Sequence, residues 1–279
     1  MESHDVIEAA SPQAVPRRTV RIGAVGYLNA RPLTWALDRD PHRWQIRYDV
    51  PSACSARLHA GEVDLGLVPS IDYLQSPDYR LVPGVGIGSR GPVASVALYT
   101  RVPLEQVRHV ALDTSSRTSV TLIRVLCRHR FGIGPEFVPH APDLAAMTSR
   151  YDAGLLIGDP AFDADHEALG LRKIDLGEEW TAMTGLPFIY AAWTGRAGAV
   201  GSADVEALQA AQEEGVRSAE RIAAEYGRGD AVRTARAFAY LRDNVRYGLG
   251  PEEAAGLQRF LDYAAELGLA PRRRPLAFF

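Results

Sequence analysis

The chain has 279 residues and a mass of 30.4 kDa, and its 31 basic and 34 acidic side chains leave a formal charge of −3. With 47% apolar residues it can build a packed core, which excludes a wholly disordered chain, and the nearly balanced charge argues against nucleic acid as a partner. Its two cysteines, Cys54 and Cys127, cannot form a disulfide framework or a cysteine-based zinc site.

Residues 1–18 have no strand or helix pattern, and we expect them to form a flexible N-terminal tail. They lack the basic start and the apolar stretch of a secretory signal. No run in the chain reaches the roughly 18 apolar residues of a membrane helix. These features predict a soluble, cytoplasmic protein without a membrane partner.

From Thr19 to about residue 200, short apolar runs alternate with helical segments, which is typical of a βαβ chain. Several runs are almost continuous in Val, Ile, Leu and Ala, which favours mostly parallel strands. Gly84–Gly88 does not have the glycine spacing of a phosphate-binding loop and is predicted to be an ordinary loop. The predicted strands are Val20–Val25, Ile46–Val50, Leu65–Val68, Ser95–Tyr99, His109–Leu112, Glu136–Val138, Gly154–Ile157 and Phe188–Trp193.

After Gly201 the strand signal ends and helical periodicity takes over. Glycines and a proline divide this part into three predicted helices, over about 203–226, 230–247 and 252–267. Their apolar positions recur at helical spacing, so we expect them to pack against the preceding α/β part.

The first polar cluster, Tyr27–Leu33, directly follows the first predicted strand. Pro32 favours the first turn of a helix, which places Asn29 at or near a helix start. Asn29 is therefore either a helix cap or an amide held at the carboxyl end of a strand, where open α/β sheets bind ligands.

The second cluster, Asp113–Ser119, also lies between a strand and a helix. It contains Arg117 and five hydroxyl side chains, of which helix capping accounts for one or two. Hydroxyls, free N–H groups and the helix dipole together make an anion site.

A third junction carries Gly158 and Asp159, whose carboxylate could cap the next helix or hold a ligand hydroxyl. Ser52, Ser70 and Ser95 follow prolines or glycines, and each alone is more typical of a cap or turn than of a ligand contact. The histidines have no paired metal spacing, and no serine lies in a nucleophile elbow. The clusters thus predict a pocket for a small anion, with no metal and no cofactor.

Five segments, in this order along the chain, resemble the chorismate dehydratase (MqnA) family of the futalosine route to menaquinone. The segment Tyr-Leu-Asn-Ala-Arg-Pro-Leu is the most specific of them, and the resemblance extends from about Arg21 to Leu267. The segments are Tyr27–Leu33, Gly61–Ser70, Gly91–Val96, Ser115–Ser119 and Gly158–Ala161.

The resemblance implies an α/β fold like the type II periplasmic binding proteins, a two-lobed clamshell with mixed, mostly parallel sheets. Lobe one is expected at 19–98 plus 191–279, and lobe two at 99–190. The strands Ser95–Tyr99 and Phe188–Trp193 would be the two crossings.

The resemblance also implies a hydro-lyase that removes water from chorismate, a small dianion, to give 3-[(1-carboxyvinyl)oxy]benzoate. Asn29 would position the substrate or assist the departing hydroxyl, while the base is either a substrate carboxylate or Asp159. The substrate-binding residues expected from the family segments are Arg31, Ser52, Ser70, Ser95, Ser115, Ser116, Thr118, Ser119 and Gly158.

Two other functions remain open at this stage. A sister enzyme of the pathway, which makes 1,4-dihydroxy-6-naphthoate, has a Ser-Pro-x-x-Asn-Asp type of segment where this chain has Tyr27–Leu33. A non-catalytic small-anion binding protein or sensor could use the same clamshell. The sequence also does not decide whether the chain forms a homodimer.

Overall fold

The computed structural model describes residues 18–271 and 273–279, so all but the last residue of the predicted tail lies outside the described part. The described strands form two five-stranded sheets. The first has the order β2-β1-β3-β10-β4, with β1 Val20–Val25, β2 Trp44–Asp49, β3 Leu65–Pro69, β4 Tyr79–Ser89 and β10 Phe188–Arg196. The second has the order β7-β6-β8-β5-β9, with β5 Val96–Thr100, β6 His109–Asp113, β7 Glu136–His140, β8 Ala153–Ile157 and β9 Arg172–Asp175.

The chain passes between the two sheets twice, through residues 90–95 and through residues 176–187. We call 18–89 with 188–279 the first lobe, 96–175 the second lobe, and 90–95 the first crossing. The expected boundaries after residues 98 and 190 fall inside β5 and β10, because each of these strands belongs entirely to one sheet.

Both sheets are mixed, with parallel and antiparallel pairs in equal number. All antiparallel pairs involve β10 in the first sheet and β5 in the second. These are the strands that follow the two passages, where the chain enters a sheet from the other lobe and runs against its neighbours. Parallel pairs are therefore not the majority that the apolar runs suggest.

Two strands differ from the sequence analysis. Gly84–Gly88 lies within β4, so its prediction as a loop is wrong. A Cβ on Gly88 would lie 2.6 Å from the carbonyl oxygen of Phe188, so glycine allows β4 to pack closely against β10. The other missed strand, β9, is a short edge strand whose charged residues hide its strand character.

Helices cover the sheets and connect their strands. No helix in the described part of the chain is long and apolar enough to cross a membrane. The helices are α1 Arg31–Thr34, α2 Pro51–Ala60, α3 Arg117–Leu126, α4 Leu144–Arg150, α5 Gly158–Phe162, α6 Leu176–Thr184, α7 Ser202–Arg217, α8 Ala219–Gly227, α9 Ala231–Ala239 and α10 Pro251–Glu266.

The C-terminal helices are more divided than predicted. The helix expected over 203–226 is two helices, α7 and α8, which meet at Ser218. The next one leaves the α-helical form after Ala239 and continues as a π-helical turn, Tyr240–Asn244. Gly215 lies three residues before the first change, but no glycine or proline lies at either one.

Candidate active site

A small cavity lies between the two lobes, at the carboxyl ends of three strands. Val25 of β1, Pro69 of β3 and Ile157 of β8 line it, and this is the edge at which open α/β sheets bind ligands. Its volume is about 40 Å³, close to the share of one water molecule in the liquid. The polar side chains in its wall are Tyr27, Asn29, Ser116, Ser119 and Tyr190.

Asn29 is half-buried in the 3₁₀ turn Leu28–Ala30, which connects β1 to α1. Pro32 lies in the first turn of α1, as its position predicts. The residues that precede the two helical turns are Tyr27 and Ala30, and neither receives a side-chain cap. The capping interpretation of Asn29 is therefore wrong, and its amide faces the cavity.

Behind this wall, Ser95 and Tyr240 are joined by a hydrogen bond. The Ser95 and Tyr240 hydroxyl oxygens are 2.7 Å apart, and both side chains are buried. Burial raises the pKa of Tyr240, while the Ser95 hydroxyl and the Asn29 amide lower it in part. The hydrogen bond thus joins Tyr240 to the end of the first crossing.

Ser116 and Ser119 occupy the start of α3, and both are buried in the cavity wall. Ser116 is the N-cap, since its hydroxyl accepts the backbone N–H of Ser119 at 3.4 Å. The two hydroxyl oxygens are 3.1 Å apart. Hydroxyls at a helix N-terminus, where the dipole is positive, favour an anionic group chemically.

The other predicted hydroxyls lie at contacts between the lobes. Thr118 accepts the backbone N–H of Ile71 at 3.2 Å, and its hydroxyl oxygen is 3.4 Å from that of Ser70. The backbone N–H of Ser52 donates to the carbonyl of Ser115 at 3.0 Å. Of the expected hydroxyl ligands, Ser116 and Ser119 therefore line the cavity, while these four residues connect the lobes beside it.

Gly158 lines the cavity with a left-handed backbone (φ 62°), and the ring of Tyr27 covers it. A Cβ at this position would lie 2.6 Å from the Tyr27 ring. The N–H of Gly158 donates to the carbonyl of Ser95 at 2.8 Å. Gly158 thus allows a second-lobe backbone to approach a first-lobe aromatic ring.

Asp159 does not cap α5, because its carboxylate reaches the other lobe. One oxygen accepts the backbone N–H of Leu28 at 2.9 Å. Burial raises the pKa of Asp159 to about 6; the N–H of Leu28 lowers it, the Asp163 carboxylate raises it and Arg233 lowers it. Asp159 is therefore a weakened acid at the edge of the site.

Arg31 does not join this arrangement, contrary to its expected role. Its guanidinium pairs with Asp38 at 3.2 Å and lies over the ring of Trp35. No arginine, lysine or histidine is among the cavity-lining residues of the described chain.

The first crossing is held by β9. The Asp175 carboxylate accepts the backbone N–H groups of Val93 at 3.0 Å and Ala94 at 2.6 Å. Lys173, the only lysine of the chain, donates to the carbonyl of Ala94 at 2.6 Å, and burial lowers its pKa. These contacts fix the backbone immediately before Ser95.

Three residues of the site are missed by sequence analysis. Tyr190 lies in β10, Tyr240 lies in a predicted helix, and Asp72 follows β3. Buried Asp72 pairs with Arg117 of the other lobe at 3.0 Å. Aromatic residues in apolar segments look like core residues, so only the folded structure identifies the two tyrosines.

Comparison with known proteins identifies a family for the chain. Residues 20–266 match a family model described as menaquinone biosynthesis. A curated chorismate dehydratase of Thermus thermophilus is 33% identical over 271 residues, covering 91% of this chain and 98% of that protein.

Solved structures share the fold. The periplasmic aliphatic sulphonate binding protein of Escherichia coli has a TM-score of 0.65 at 21% identity, covering 94% of both chains. A protein of Archaeoglobus fulgidus has a TM-score of 0.72 at 18% identity, covering 90% of this chain and 98% of its own. The two-lobed fold is thus that of the periplasmic binding proteins, as expected. From the family model and the curated relative, the chain belongs to the menaquinone biosynthesis family.

Proposed function

We propose that this protein is a chorismate dehydratase, a hydro-lyase that converts chorismate to 3-[(1-carboxyvinyl)oxy]benzoate. The match over nearly the whole chain to a protein of that name carries the proposal. The cavity adds support, because Asn29, Ser116 and Ser119 all come from family segments and all line it.

The reaction removes a proton from the ring carbon that bears the enolpyruvyl ether and hydroxide from the neighbouring carbon. The electron pair of the broken C–H bond completes the aromatic ring, and hydroxide leaves with the proton as water. Aromatisation drives the reaction, so the protein has mainly to orient the leaving hydroxyl and to bind two carboxylates. Asn29 contacts the hydroxyl, while Ser116 and Ser119 bind one carboxylate.

A substrate carboxylate acts as the base in this proposal. Asp159 is the competing candidate, but the Leu28 N–H occupies one of its oxygens and it is not among the cavity-lining residues. Asp159→Asn should therefore keep most of the turnover. A loss of more than about a hundredfold in kcat with unchanged chorismate affinity would instead make Asp159 the base.

The protein further acts in the futalosine route, in the cytoplasm, without metal or cofactor and without nucleic acid as a partner. The two lobes separate to admit chorismate, because the cavity of about 40 Å³ is far below the roughly 300–1,000 Å³ of ligand pockets. Light scattering of the purified protein tests whether it forms a homodimer.

The decisive experiment incubates chelator-treated protein with chorismate and follows the loss of cyclohexadiene absorbance. The expected product is lighter than chorismate by one water. Ser116→Ala should weaken chorismate binding about tenfold, since hydrogen bonds to charged groups contribute about 1.5–3 kcal/mol. Exposed Ser149→Ala serves as its control. Binding without turnover would overturn the proposal, and the substrate of the sister enzyme would be tested next.

A further inference from the structure

We propose that side chains at the end of α5 and on the helices α8 and α9 form a latch, which holds the two lobes closed over the site. The effect of this latch on chorismate rests on the proposed function, whereas the latch itself can be tested without substrate. Its second-lobe residues are Phe162 and Asp163, and its first-lobe residues are Tyr226, Arg233 and Arg236.

One carboxylate of the second lobe meets three groups of the first lobe. A single oxygen of Asp163 accepts the Tyr226 hydroxyl at 2.9 Å and the Arg233 guanidinium at 2.8 Å. The other oxygen lies 3.9 Å from the Arg236 guanidinium. Because an ionised carboxylate can only accept, all of these contacts run from the first lobe to the second.

Phe162 packs against the same first-lobe helices. It is 6% exposed, and its ring packs on that of Tyr240 with the centroids 4.7 Å apart. The Arg236 guanidinium lies 4.2 Å from the centre of the Phe162 ring, and the Arg233 guanidinium lies 4.5 Å from that of Tyr226. The arginines that meet Asp163 are therefore held in place by aromatic rings.

One short helix connects the latch to the proposed chorismate site. α5 begins at Gly158, which lines the small cavity, and ends at Phe162. The N–H of Asp163 donates to the carbonyl of Asp159 at 2.8 Å, so Asp163 belongs to the last turn of this helix. A movement that takes Asp163 away from α9 therefore also moves the cavity wall at Gly158.

A second cavity separates the latch from the first crossing. It has a volume of about 670 Å³ and extends from Asp163 and Arg236 to Ala94 and Lys173. The latch and the first crossing thus hold the lobes at two separate places. Opening at the latch breaks its ion pairs and exposes the Phe162 ring, so the latch favours the closed arrangement.

The test compares Asp163→Ala with Asp165→Ala. Asp165 is the matched control, because it is exposed, lines the same cavity and carries the same charge, but its carboxylate accepts the N–H of Ala168 in its own lobe. Without substrate, small-angle X-ray scattering should give Asp163→Ala a larger radius of gyration than the unmodified protein. Asp165→Ala should keep the radius of the unmodified protein.

Chorismate binding separates the latch from a simple effect of charge. Chorismate is a dianion, so removal of a nearby carboxylate would by itself strengthen binding. Loss of the latch weakens binding, because a smaller share of the protein is then closed. We expect Asp163→Ala to raise Kd and KM about fivefold, the effect of one strong exposed ion pair, while kcat does not fall. Asp165→Ala should bind chorismate at least as tightly as the unmodified protein.

A double-variant cycle distinguishes this contact from a general loss of folding. If Asp163 and Arg233 act together, Asp163→Ala should raise Kd less in the Arg233→Ala protein than in the unmodified one. If Asp163→Ala does not fold, Asp163→Asn keeps the size and an acceptor oxygen, and its Kd should still exceed that of the unmodified protein.

The inference is overturned if Asp163→Ala keeps the radius of gyration of the unmodified protein, if it binds chorismate as tightly as Asp165→Ala, or if the effects of Asp163→Ala and Arg233→Ala on affinity simply add. Failure of the proposed function looks different. An unmodified protein that does not convert chorismate would overturn that function, while a larger radius of Asp163→Ala would still establish the latch.

Discussion

Asp159 shows how one buried carboxylate couples the site to pH. Its pKa is raised from an ordinary 3.8 to about 6, chiefly by burial, so the folded chain holds this proton more tightly than the unfolded chain. Between these two pH values the folded state binds more protons at Asp159. The contribution of this residue to the free energy of unfolding therefore falls as the pH rises from about 4 to about 6, and is constant above.

Asp159→Asn should remove this dependence, because asparagine does not titrate and can still accept the Leu28 N–H. Relative to the variant, the unmodified protein should lose stability as the pH is raised from 4 to 6. Urea unfolding at several pH values between 4 and 8 measures the difference. If the free energies of unfolding of the two proteins differ by the same amount at every pH, the raised pKa is contradicted.

A Gly158→Ala substitution tests the close approach of the two lobes. The new methyl group would meet the Tyr27 ring at 2.6 Å in a left-handed backbone, so we expect a loss of stability of about 1–3 kcal/mol together with weaker chorismate binding. Gly170→Ala is the matched control, since Gly170 has φ 64° with nothing within 4 Å of its Cβ position. Equal decreases in the melting temperature of the two variants would show that the contact with the Tyr27 ring does not cause the loss of stability.

At the residue scale, the sequence feature that best predicts the cavity-lining residues is a polar side chain shortly after a strand. Asn29, Ser116 and Ser119 follow β1 or β6 directly, and all three line the cavity. Arg31 shares that position, but neighbouring Asp38 and Trp35 turn its guanidinium elsewhere. Side-chain direction depends on such local partners, which spacing in the sequence does not reveal.

Among the elements, β9 has a role that its four residues conceal. Besides holding the first crossing, its last residue, Asp175, caps α6 by accepting the N–H groups of Gly177 and Glu178. One buried carboxylate thus satisfies four backbone donors in two segments. Ser95 and α6 depend on the same side chain for their positions.

Asp175→Ala should therefore cost more than the loss of an ordinary cap. Removing a simple N-cap costs about 1 kcal/mol, and Asp143→Ala, which removes the cap of α4, provides that reference. For Asp175→Ala we expect about 3 kcal/mol or more, because buried N–H groups lose a charged acceptor. Chemical unfolding of both variants measures the difference, and equal losses would contradict the link between β9 and the first crossing.

Elements rich in β-branched and aliphatic residues can be predicted from the sequence. The eight predicted strands all occur, and their ends lie within two residues of the prediction, except that β10 extends three residues further, to Arg196. β4 is missed because its glycines, which its packing on β10 requires, carry no strand preference. The sequence analysis also misses the division at Ser218; nearby, α7 lies so close to α1 that a Cβ on Gly215 would be 1.8 Å from the carbonyl oxygen of Pro32.

For the whole molecule, the lobes meet through polar contacts as well as through apolar ones, such as the packing of Phe162 on Tyr240. Asp72 with Arg117, Ser70 with Thr118, and Leu28 with Asp159 each pair one lobe with the other. Separation of the lobes, which the proposed entry of chorismate requires, would break these pairs together with the apolar contacts between the lobes.

A disulfide between positions 52 and 115 should hold the lobes together. The backbones of Ser52 and Ser115 are hydrogen-bonded at 3.0 Å, which brings their side chains within reach of such a bridge. The oxidised double variant, Ser52→Cys with Ser115→Cys, should lose turnover, and reductant should restore it. Burial raises the pKa of Cys54 and Cys127 to about 12, so these native thiols do not compete. Full activity of the oxidised protein would show that chorismate enters without separation of the lobes.

The two-lobed plan follows from the family segments, whereas the closeness of the lobes does not. It arises from pairs such as Asp72 and Arg117, which lie 45 residues apart in the chain. Patterns within one element predict that element, but contacts between two lobes depend on how both are placed.

The single lysine has a practical consequence. Lys173 provides the only side-chain primary amine of the chain, and it lies against the first crossing. Because burial lowers its pKa, a larger share of this amine is unprotonated near neutral pH than for an exposed lysine. Apart from the α-amino group, an amine-selective fluorophore would therefore attach only to this side chain beside the first crossing, and the rate of attachment at Lys173 would report how often that region becomes accessible. Labelling that slows as chorismate is added would follow domain closure directly, without any engineered cysteine.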